Sequence, residues 1–304
     1  QRNDSSRGVR QLFVIDASGC SCRLTPSLAK RLRKLPSLRA IVFDHNPCIK
    51  DDHLKAIGPL PEIRSIFLSQ CKAVTDEGIR SLGQCPRLLV CSIDGTSVTD
   101  VGIGRLCTNN AQLIALRISG TKASDVCFKS IAELNDLEYL QAAACNVGNR
   151  GVEELSDHSR LVELNLSETH IDDGSGETLS SIANLRLLHL GWTNFGDAGV
   201  KQLRALRRLK DLYLINAKLT DEGVPYLSEI PSLERLYLDG CRVSPQALER
   251  LAGLPNLKLL SLPEGEGSLP ERILDKYEQN GFEIRGSQVS RSRRDRGLPR
   301  SRER

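Results

Sequence analysis

The sequence predicts a right-handed α/β solenoid, a horseshoe in which a parallel β-sheet lines the concave face and short helices cover the convex face. One apolar pattern, L-x-x-L-x-L with other apolar residues substituting, occurs eleven times at intervals of 24–26 residues. A polar turn and a second apolar pattern with helical spacing follow each copy. A unit this short cannot bury its own apolar face, whereas stacked units share one continuous core. The copies begin at Leu12, Leu38, Ile63, Leu88, Leu113, Leu137, Leu161, Leu185, Leu209, Leu233 and Leu257.

Residues 209–232 illustrate how one unit is built. Leu209, Leu212 and Leu214 lie along a short strand and are expected to point into the core. The run TDEG that follows indicates a helix start, because Thr or Asp caps free N–H groups and acidic residues suit the helix dipole. Pro231 ends the helix, since proline cannot continue it. The helix is expected to face the sheet with Val224, Leu227 and Ile230.

The pattern divides the chain into four parts. Residues 1–11 are polar and are predicted to be an N-terminal cap, and residues 12–262 hold the eleven repeats. Residues 263–284 are predicted to be a C-terminal capping helix, because their apolar residues recur at helical spacing. Residues 285–304 are rich in Arg and Ser and poor in apolar residues, which predicts a disordered tail.

The positive charge of the chain belongs to that tail. The formal net charge is +4 overall, and the tail contributes +6 through eight Arg against two acids, which leaves −2 for residues 1–284. No apolar run is long enough for a membrane-spanning helix, and no signal peptide is visible. The body of the chain therefore has the balanced charge of an ordinary globular domain.

The ten cysteines are predicted to be buried thiols. Cys20, Cys71, Cys145 and Cys241 each lie eight residues after a repeat start, where other repeats have Thr, and a small side chain there is expected to bond the backbone of the adjacent turn. Residues two repeats apart are about 10 Å apart in stacked strands, too far for a disulfide. A disulfide remains open for Cys22 in its C-x-C sequence. Buried thiols favour a reducing compartment, so a cytoplasmic location is expected.

These motifs resemble those of leucine-rich-repeat proteins, and in particular the cysteine-containing subtype. The matching segments are residues 96–102, TSVTDVG, and 217–223, AKLTDEG, and the resemblance covers residues 12–262. Eukaryotic relatives of this subtype act as substrate-recognition arms of ubiquitin ligases and carry an F-box before the repeats. The residues before Leu12 are too few for an F-box, and the 24-residue steps resemble those of bacterial relatives.

Strand geometry predicts which side chains line the concave face, namely those two, four, six and seven residues after each repeat start. Across the last six repeats this surface holds the only Trp and three of the five Tyr, residue types that dominate protein-binding hot spots. Acids outnumber basic residues there, so the expected partner is a basic protein or peptide. The predicted partner-binding residues are Tyr139, Glu163, Glu168, His189, Trp192, Asp211, Tyr213, Arg235, Tyr237 and Asp239.

Other interpretations fit some of the same residues. Tyr213 and Tyr237 also suit an ordinary cross-strand pair. The acids at strand ends, Asp44, Asp94 and Asp239, also suit caps of the turn that follows. Away from the concave face, the tail indicates contact with nucleic-acid phosphates, for which the candidates are Arg291, Arg293, Arg294 and Arg296.

No catalytic chemistry is predicted. His170 lies near Asp172, but no Ser or Cys is aligned with them as a nucleophile. His45, Cys48 and His53 are metal-ligand types, yet the first should face the concave side and the last a convex helix, so no metal is expected. No cofactor or small-molecule substrate is indicated. The sequence predicts a non-catalytic scaffold that binds a protein or peptide on its concave face, and the alternative is a nucleic-acid-associated protein that uses its tail.

Overall fold

The computed structural model describes residues 14–19, 25, 27, 31–32, 34–58, 60–82, 85–262, 275, 277, 279, 281 and 283–285. In this part of the chain, twelve parallel strands form one sheet in sequence order. The predicted α/β solenoid is therefore confirmed. The strands are β1 (Val14–Asp16), β2 (Ala40–Val42), β3 (Ser65–Phe67), β4 (Val90–Ser92), β5 (Ala115–Arg117), β6 (Tyr139–Gln141), β7 (Glu163–Asn165), β8 (Leu187–His189), β9 (Asp211–Tyr213), β10 (Arg235–Tyr237), β11 (Leu259–Ser261) and β12 (Glu283–Arg285).

Short helices connect the strands and form the convex layer. The helices are short because each repeat must contain a strand, a turn and a helix within about 24 residues. The α-helices are Asp51–Ile57, Asp76–Leu82, Asp100–Asn109, Asp125–Ala132, Asn149–Glu153, Gly176–Ser181, Asp197–Leu203, Val224–Leu227 and Pro245–Leu248, with 3-10 turns at Asp173–Ser175 and Glu249–Gly253.

The predicted ends of the chain lie largely outside the described residues. Nothing is described of the predicted cap at residues 1–11, and only isolated residues are described between 263 and 282. β12 lies at the predicted boundary between the capping helix and the tail, and its Ile284 pairs with Leu260 of β11. The sheet thus continues one strand beyond the last predicted repeat.

The core runs between the sheet and the helices along the whole stack. The three apolar residues that define the pattern are fully buried in each middle repeat, as shown by Leu161, Leu164 and Leu166. The helix contributes its inward face, for example Val200 and Leu203 in the next repeat. Burying one such side chain contributes about 1.5–3 kcal/mol to folding. The regular spacing of these residues is what holds the concave strands in register.

A carboxylate at the start of most of the described helical segments joins neighbouring repeats. Asp76 accepts the backbone N–H of Thr99 at 2.8 Å and the Thr99 hydroxyl at 2.6 Å, and the Thr99 oxygen in turn accepts the N–H of Val101 at 3.3 Å. Thr99 therefore caps its own helix as expected, whereas the acid bonds the following repeat. The same pairs occur at Asp51–Thr75, Asp100–Ser124 and Asp197–Thr220.

In the middle of the solenoid, the side chains that form these junctions between repeats are different. Gly148 offers only its N–H to Asp125, at 2.7 Å. In the next repeat Asn149 replaces the acid, and its side-chain oxygen accepts the N–H of Asp172 at 3.1 Å and the Ser175 hydroxyl at 2.6 Å. Every one of these junctions therefore satisfies its backbone donor, but with different side chains.

The described cysteines at position eight bond the preceding repeat, as predicted, whereas Cys20 lies outside the described residues. Cys71 donates to the carbonyl of Phe43 at 3.1 Å, and Cys241 donates to the carbonyl of Leu214 at 2.9 Å. The threonines at this position do not, because Thr193 donates to a carbonyl of its own repeat, Leu190, at 2.7 Å. The expectation that Thr would reach the adjacent turn is wrong. The seven buried cysteines of the described residues are free thiols, and burial raises the pKa of Cys71 to about 11.

Candidate functional site on the concave face

A column of three rings crosses the concave face in the second half of the solenoid. Strand pairing places His189 on β8 beside Tyr213 on β9, and Tyr213 beside Tyr237 on β10. The His189 and Tyr213 rings stack with centroids 3.8 Å apart, and the two Tyr rings stack at 4.1 Å and within 7° of parallel. The cross-strand interpretation of the two Tyr residues is thus correct, and the column also contains His189.

The ring column carries no charge at neutral pH. Burial lowers the pKa of His189 to about 4, against the opposing influence of the Asp211 carboxylate. Burial, aided by the neighbouring Tyr237 hydroxyl, raises the pKa of Tyr213 to about 12. The column therefore presents aromatic edges and hydroxyl groups rather than ions to anything that binds there.

Two arginines of the concave face are bound to acids of the preceding repeat. Arg235 makes a two-pronged ion pair with Asp211, in which Nε and one terminal nitrogen each lie 2.5 Å from a carboxylate oxygen. Arg117 likewise donates through Nε to Asp94 at 2.9 Å. Asp211 is buried beneath its partner. Among the predicted binding residues, Asp211 and Arg235 thus act as one neutral pair.

The acids at strand ends have other partners than a local turn. Asp44 accepts the N–H of Ser69 at 2.6 Å, and Asp94 accepts that of Ser119 at 2.7 Å, so both bond the next repeat. Asp239 accepts the hydroxyl of Ser261 at 2.5 Å. The local-cap interpretation of these three acids is therefore wrong, because their donors come from the neighbouring unit.

Several acids of this face remain without a positive partner. Glu163 is half-buried on β7 and Glu168 is exposed just after it, and within the described residues neither forms an ion pair. Asp239 likewise bonds only a hydroxyl among those residues. Glu264, which the sequence also places on this face, lies outside the described residues. The second half of the concave face is acidic around its neutral rings.

Position seven of the repeat has a left-handed backbone in each of the ten repeats where the structure describes it. Gly occupies it in four of them, Gly19, Gly95, Gly120 and Gly240. A left-handed conformation suits Gly because it has no Cβ, and it is unusual for large side chains. The other occupants are His45, Gln70, Ala144, Glu168, Trp192 and Asn216.

Trp192 is the largest side chain at this position and lies apart from the ring column. Its φ is 60°, its N–H donates to the carbonyl of Ile215 at 2.7 Å, and 61% of the residue is exposed. Tyr139 is also exposed, at 36%, but lies on β6 beside Glu163, two strands away from His189. The predicted residues therefore form a central column with Trp192 beside it, and Tyr139 stands separately.

The sequence predicts that Trp192 lies on the concave side, but it did not lead us to predict the strained backbone of this residue. The signal was present, because Gly recurs at position seven of the repeat. The pairing of Arg235 with Asp211 was missed as well, since the two residues are 24 positions apart and their contact depends on strand register.

Other kinds of site find little support in the described residues. They contain no group of three or more His, Cys, Asp or Glu positioned to hold a metal ion. His53 instead accepts the N–H of Lys50 at 3.1 Å. A cleft of about 290 Å³ lies away from the sheet, lined by Lys129, Glu133, Glu154 and other polar residues. In the same part of the chain, every helix is too short or too polar to cross a membrane. The candidate arginines of the tail lie outside the described residues.

Comparison with known proteins supports the fold. A family model described as Leucine Rich repeat matches residues 182–203. No curated protein sequence matches the chain. Among solved structures, an internalin, inlF, from Listeria monocytogenes has a TM-score of 0.64 at 19% identity, over 84% of this chain and 69% of that chain. Internalin C2 from the same organism has a TM-score of 0.55 at 22% identity, over 79% of this chain and 93% of that chain.

A third similar structure is a TDR receptor, with a TM-score of 0.52 at 18% identity over 90% of this chain and 46% of that chain. At these identities the likeness is one of fold. The cysteine-containing subtype remains a resemblance of motifs. The eleven repeats, the family-model match and the parallel-strand solenoid together show that the chain has the leucine-rich-repeat fold.

Proposed function

We propose that the chain is a non-catalytic protein–protein recognition scaffold, and that a protein or peptide binds the second half of its concave face. The observation that carries the proposal is Trp192, a large apolar side chain held exposed on a left-handed backbone. One of the structural neighbours is named as a receptor, which agrees with a binding role.

The position of Trp192 argues for a role other than stability. A non-Gly residue in the left-handed region costs of the order of 1–3 kcal/mol. The ring does not recover this energy by burial, since 61% of the residue is exposed. Backbone strain of this kind clusters at functional sites, and Trp is enriched among residues that dominate protein interfaces.

The surroundings of Trp192 favour a basic partner. Glu163, Glu168 and Asp239 have no ion pair within the described residues, whereas the Arg235 charge is already matched by Asp211. An acidic surface speeds association with a basic partner and disfavours nucleic acid. The rings of Tyr213 and Tyr237 supply rigid, uncharged contact area beside these acids.

The proposal is tested by affinity capture from native extract with the full chain and two variants. Trp192→Gly removes the ring and relieves the backbone strain, so it should lose the partner while the fold is kept. Val126→Ala is the matched control, because Val126 is an exposed apolar residue on a convex helix, 73% exposed. A partner retained by wild type and by Val126→Ala but lost by Trp192→Gly would support the concave site.

The outcome that would contradict the proposal is retention of the same partner by Trp192→Gly and also by the double variant Tyr213→Ala/Tyr237→Ala. Circular dichroism of each variant must match wild type, so that loss of binding is not loss of folding. Competition by added salt would then report how much of the affinity comes from the acids.

A second candidate function rests on the composition of the tail. Residues 285–304 contain eight Arg against two acids, which suits contact with nucleic-acid phosphates through Arg291, Arg293, Arg294 and Arg296. Such binding should disappear in a chain that ends at Arg285 and should weaken by orders of magnitude between about 50 and 200 mM salt. Unchanged nucleic-acid affinity of the shortened chain would exclude the tail.

A further inference from the structure

Glu168 and Trp192 occupy equivalent positions in two adjacent repeats. Both have a left-handed backbone, with φ of 58° and 60°, so their side chains leave the chain in nearly the same direction. The N–H of Glu168 donates to the carbonyl of Gly191 at 2.9 Å, which places the two turns side by side. Neighbouring strands are spaced about 4.8 Å apart. A carboxylate and an indole ring therefore stand next to each other on the rim of the concave face.

Neither group is engaged by the rest of the described chain. Glu168 is exposed and forms no ion pair there, although His170 lies exposed two residues further along the same turn. Ala144 precedes Glu168 in the same column and leaves its outer side open. The faces of the Trp192 ring contribute to no aromatic stack among the described residues.

The chemistry of this pair fits one kind of group. The face of an indole ring attracts a cation held within about 6 Å of its centre. A carboxylate at the edge of the same space binds a guanidinium through two parallel hydrogen bonds. We propose that Trp192 and Glu168 together form a subsite for an arginine side chain of the partner protein. This inference rests on the proposed function and names the group that is recognised.

Arginine suits the subsite better than lysine for a geometric reason. Its guanidinium is planar, so it stacks on a ring and still directs N–H groups sideways to a carboxylate. A lysine ammonium is compact and strongly hydrated, and it satisfies the ring and the acid less completely. The ring column is less suited to the cation, because His189 and Tyr237 stack on the two faces of Tyr213 and cover them.

The inference is tested through the indole N–H of Trp192. The chain has a single Trp, so a ¹⁵N-labelled sample gives one indole resonance, which reports on this surface alone. The full chain is titrated with a short peptide in which one arginine is the only charged group. Matched peptides have lysine or citrulline in place of that arginine. The arginine peptide should shift the resonance at the lowest concentration, the lysine peptide at several-fold higher concentration, and the uncharged citrulline peptide least.

Two carboxamide variants separate the subsite from general electrostatics. Glu168→Gln should weaken arginine-peptide binding by about fivefold or more, because it removes the charge but keeps the shape. Glu177→Gln lies in the same repeat but on the convex helix Gly176–Ser181, where Glu177 is exposed, and it should leave the affinity within about twofold. Equal shifts with arginine and citrulline, no shift up to tens of millimolar, or equal loss in both variants would overturn the subsite.

The experiment also separates this inference from the proposed function. If Trp192→Gly loses its protein partner while the arginine peptide leaves the indole resonance unmoved, the scaffold stands and the subsite falls. A chain that ends at Arg285 is titrated alongside the full chain. If removal of residues 286–304 moves the indole resonance, an arginine of this chain occupies the subsite. The cation subsite would then stand, but its assignment to an arginine of the partner would be overturned.

Discussion

The carboxylate of Asp76 fills the space that a side chain at Gly102 would need. A Cβ placed on Gly102 would lie 2.3 Å from Asp76 Oδ1, and Gly223 stands in the same relation to Asp197. The Thr-Asp-x-Gly sequence therefore has to be read across two repeats, because the Gly of one makes room for the Asp of the previous one. Cys127 is an exception at this position, where burial, together with the nearby Asp100 carboxylate, raises the pKa of its thiol.

Gly102→Ala should destabilise the fold by about 1–3 kcal/mol, because the new methyl group displaces Asp76 from its two hydrogen bonds or overpacks the junction. Gly104→Ala is the matched control in the same helix. A Cβ there meets only the Ser130 side chain, at 3.3 Å, so the change should be neutral or stabilising by up to about 1 kcal/mol. Urea titrations followed by circular dichroism measure both, and equal effects would contradict the interlock.

Leu164→Ala should lower the free energy of unfolding by about 2–5 kcal/mol, since it leaves a cavity in the middle of the shared core. Leu187 lies one strand away but on the concave face, where it is only half-buried. Leu187→Ala should therefore cost clearly less. Thermal melts of the two variants compare them directly, and a Leu164→Ala protein as stable as wild type would be incompatible with the strand register.

Trp192→Gly should leave the stability unchanged or raise it by about 1 kcal/mol, because Gly adopts the left-handed conformation without strain. Trp192→Ala removes the same ring but keeps the strain, so it should be less stable than the Gly variant. Chemical denaturation of both proteins distinguishes the two effects. A large loss of stability in Trp192→Gly would mean that the ring serves the fold.

His189 should make the stability depend on pH in a defined window. Its folded pKa is about 4, below the ordinary value of 6.5, so between these values the unfolded chain binds more protons than the folded one. The contribution of His189 is therefore complete above about pH 6.5 and is lost as the pH falls towards 4. The unfolding free energy of wild type minus that of His189→Phe should decrease as the pH falls through this range. A constant value would contradict the burial of the ring.

The thiols bear on the compartment, for which we propose a reducing one such as the cytoplasm. The seven buried cysteines in the described residues are free, and burial raises the pKa of Cys71 and Cys241 to about 11 and about 12. The folded chain should therefore react slowly with a thiol reagent near neutral pH, and the denatured chain should expose ten reactive thiols. Fewer than ten after denaturation without reductant would indicate a disulfide.

The parts of the structure that sequence predicts well are those set by the repeat itself. Leu161, Leu164 and Leu166 are buried as the alternation requires, and the concave row that contains Tyr213 follows from strand geometry. What sequence could not supply are contacts between units. The ion pair of Asp211 with Arg235 joins residues 24 positions apart, and only the strand register brings them together.

The left-handed backbone at Trp192 was not predicted for a different reason. Local sequence favours Gly in a left-handed turn, and a Trp gives no propensity signal for one. The strain is imposed by the neighbouring repeats, which fix the turn through bonds such as that from the Trp192 N–H to the Ile215 carbonyl. A large residue at a position defined by its neighbours can thus be recognised as strained only when the repeats are aligned with one another.

The interlock between Asp and the following Thr and Gly also determines how such a chain can gain or lose units. Removing residues 76–99 would bring Thr75 directly before Asp100. The hydrogen-bond donors and acceptors on the two sides of the deletion would then still match. A deletion that placed Asn149 opposite Gly199 would lose the hydrogen bond that Asn149 now accepts from the Ser175 hydroxyl, because Gly199 has no side chain to donate it. Duplication and deletion of whole repeats are therefore tolerated at the Thr-Asp-x-Gly junctions, whereas the Asn149 junction keeps its two neighbours together.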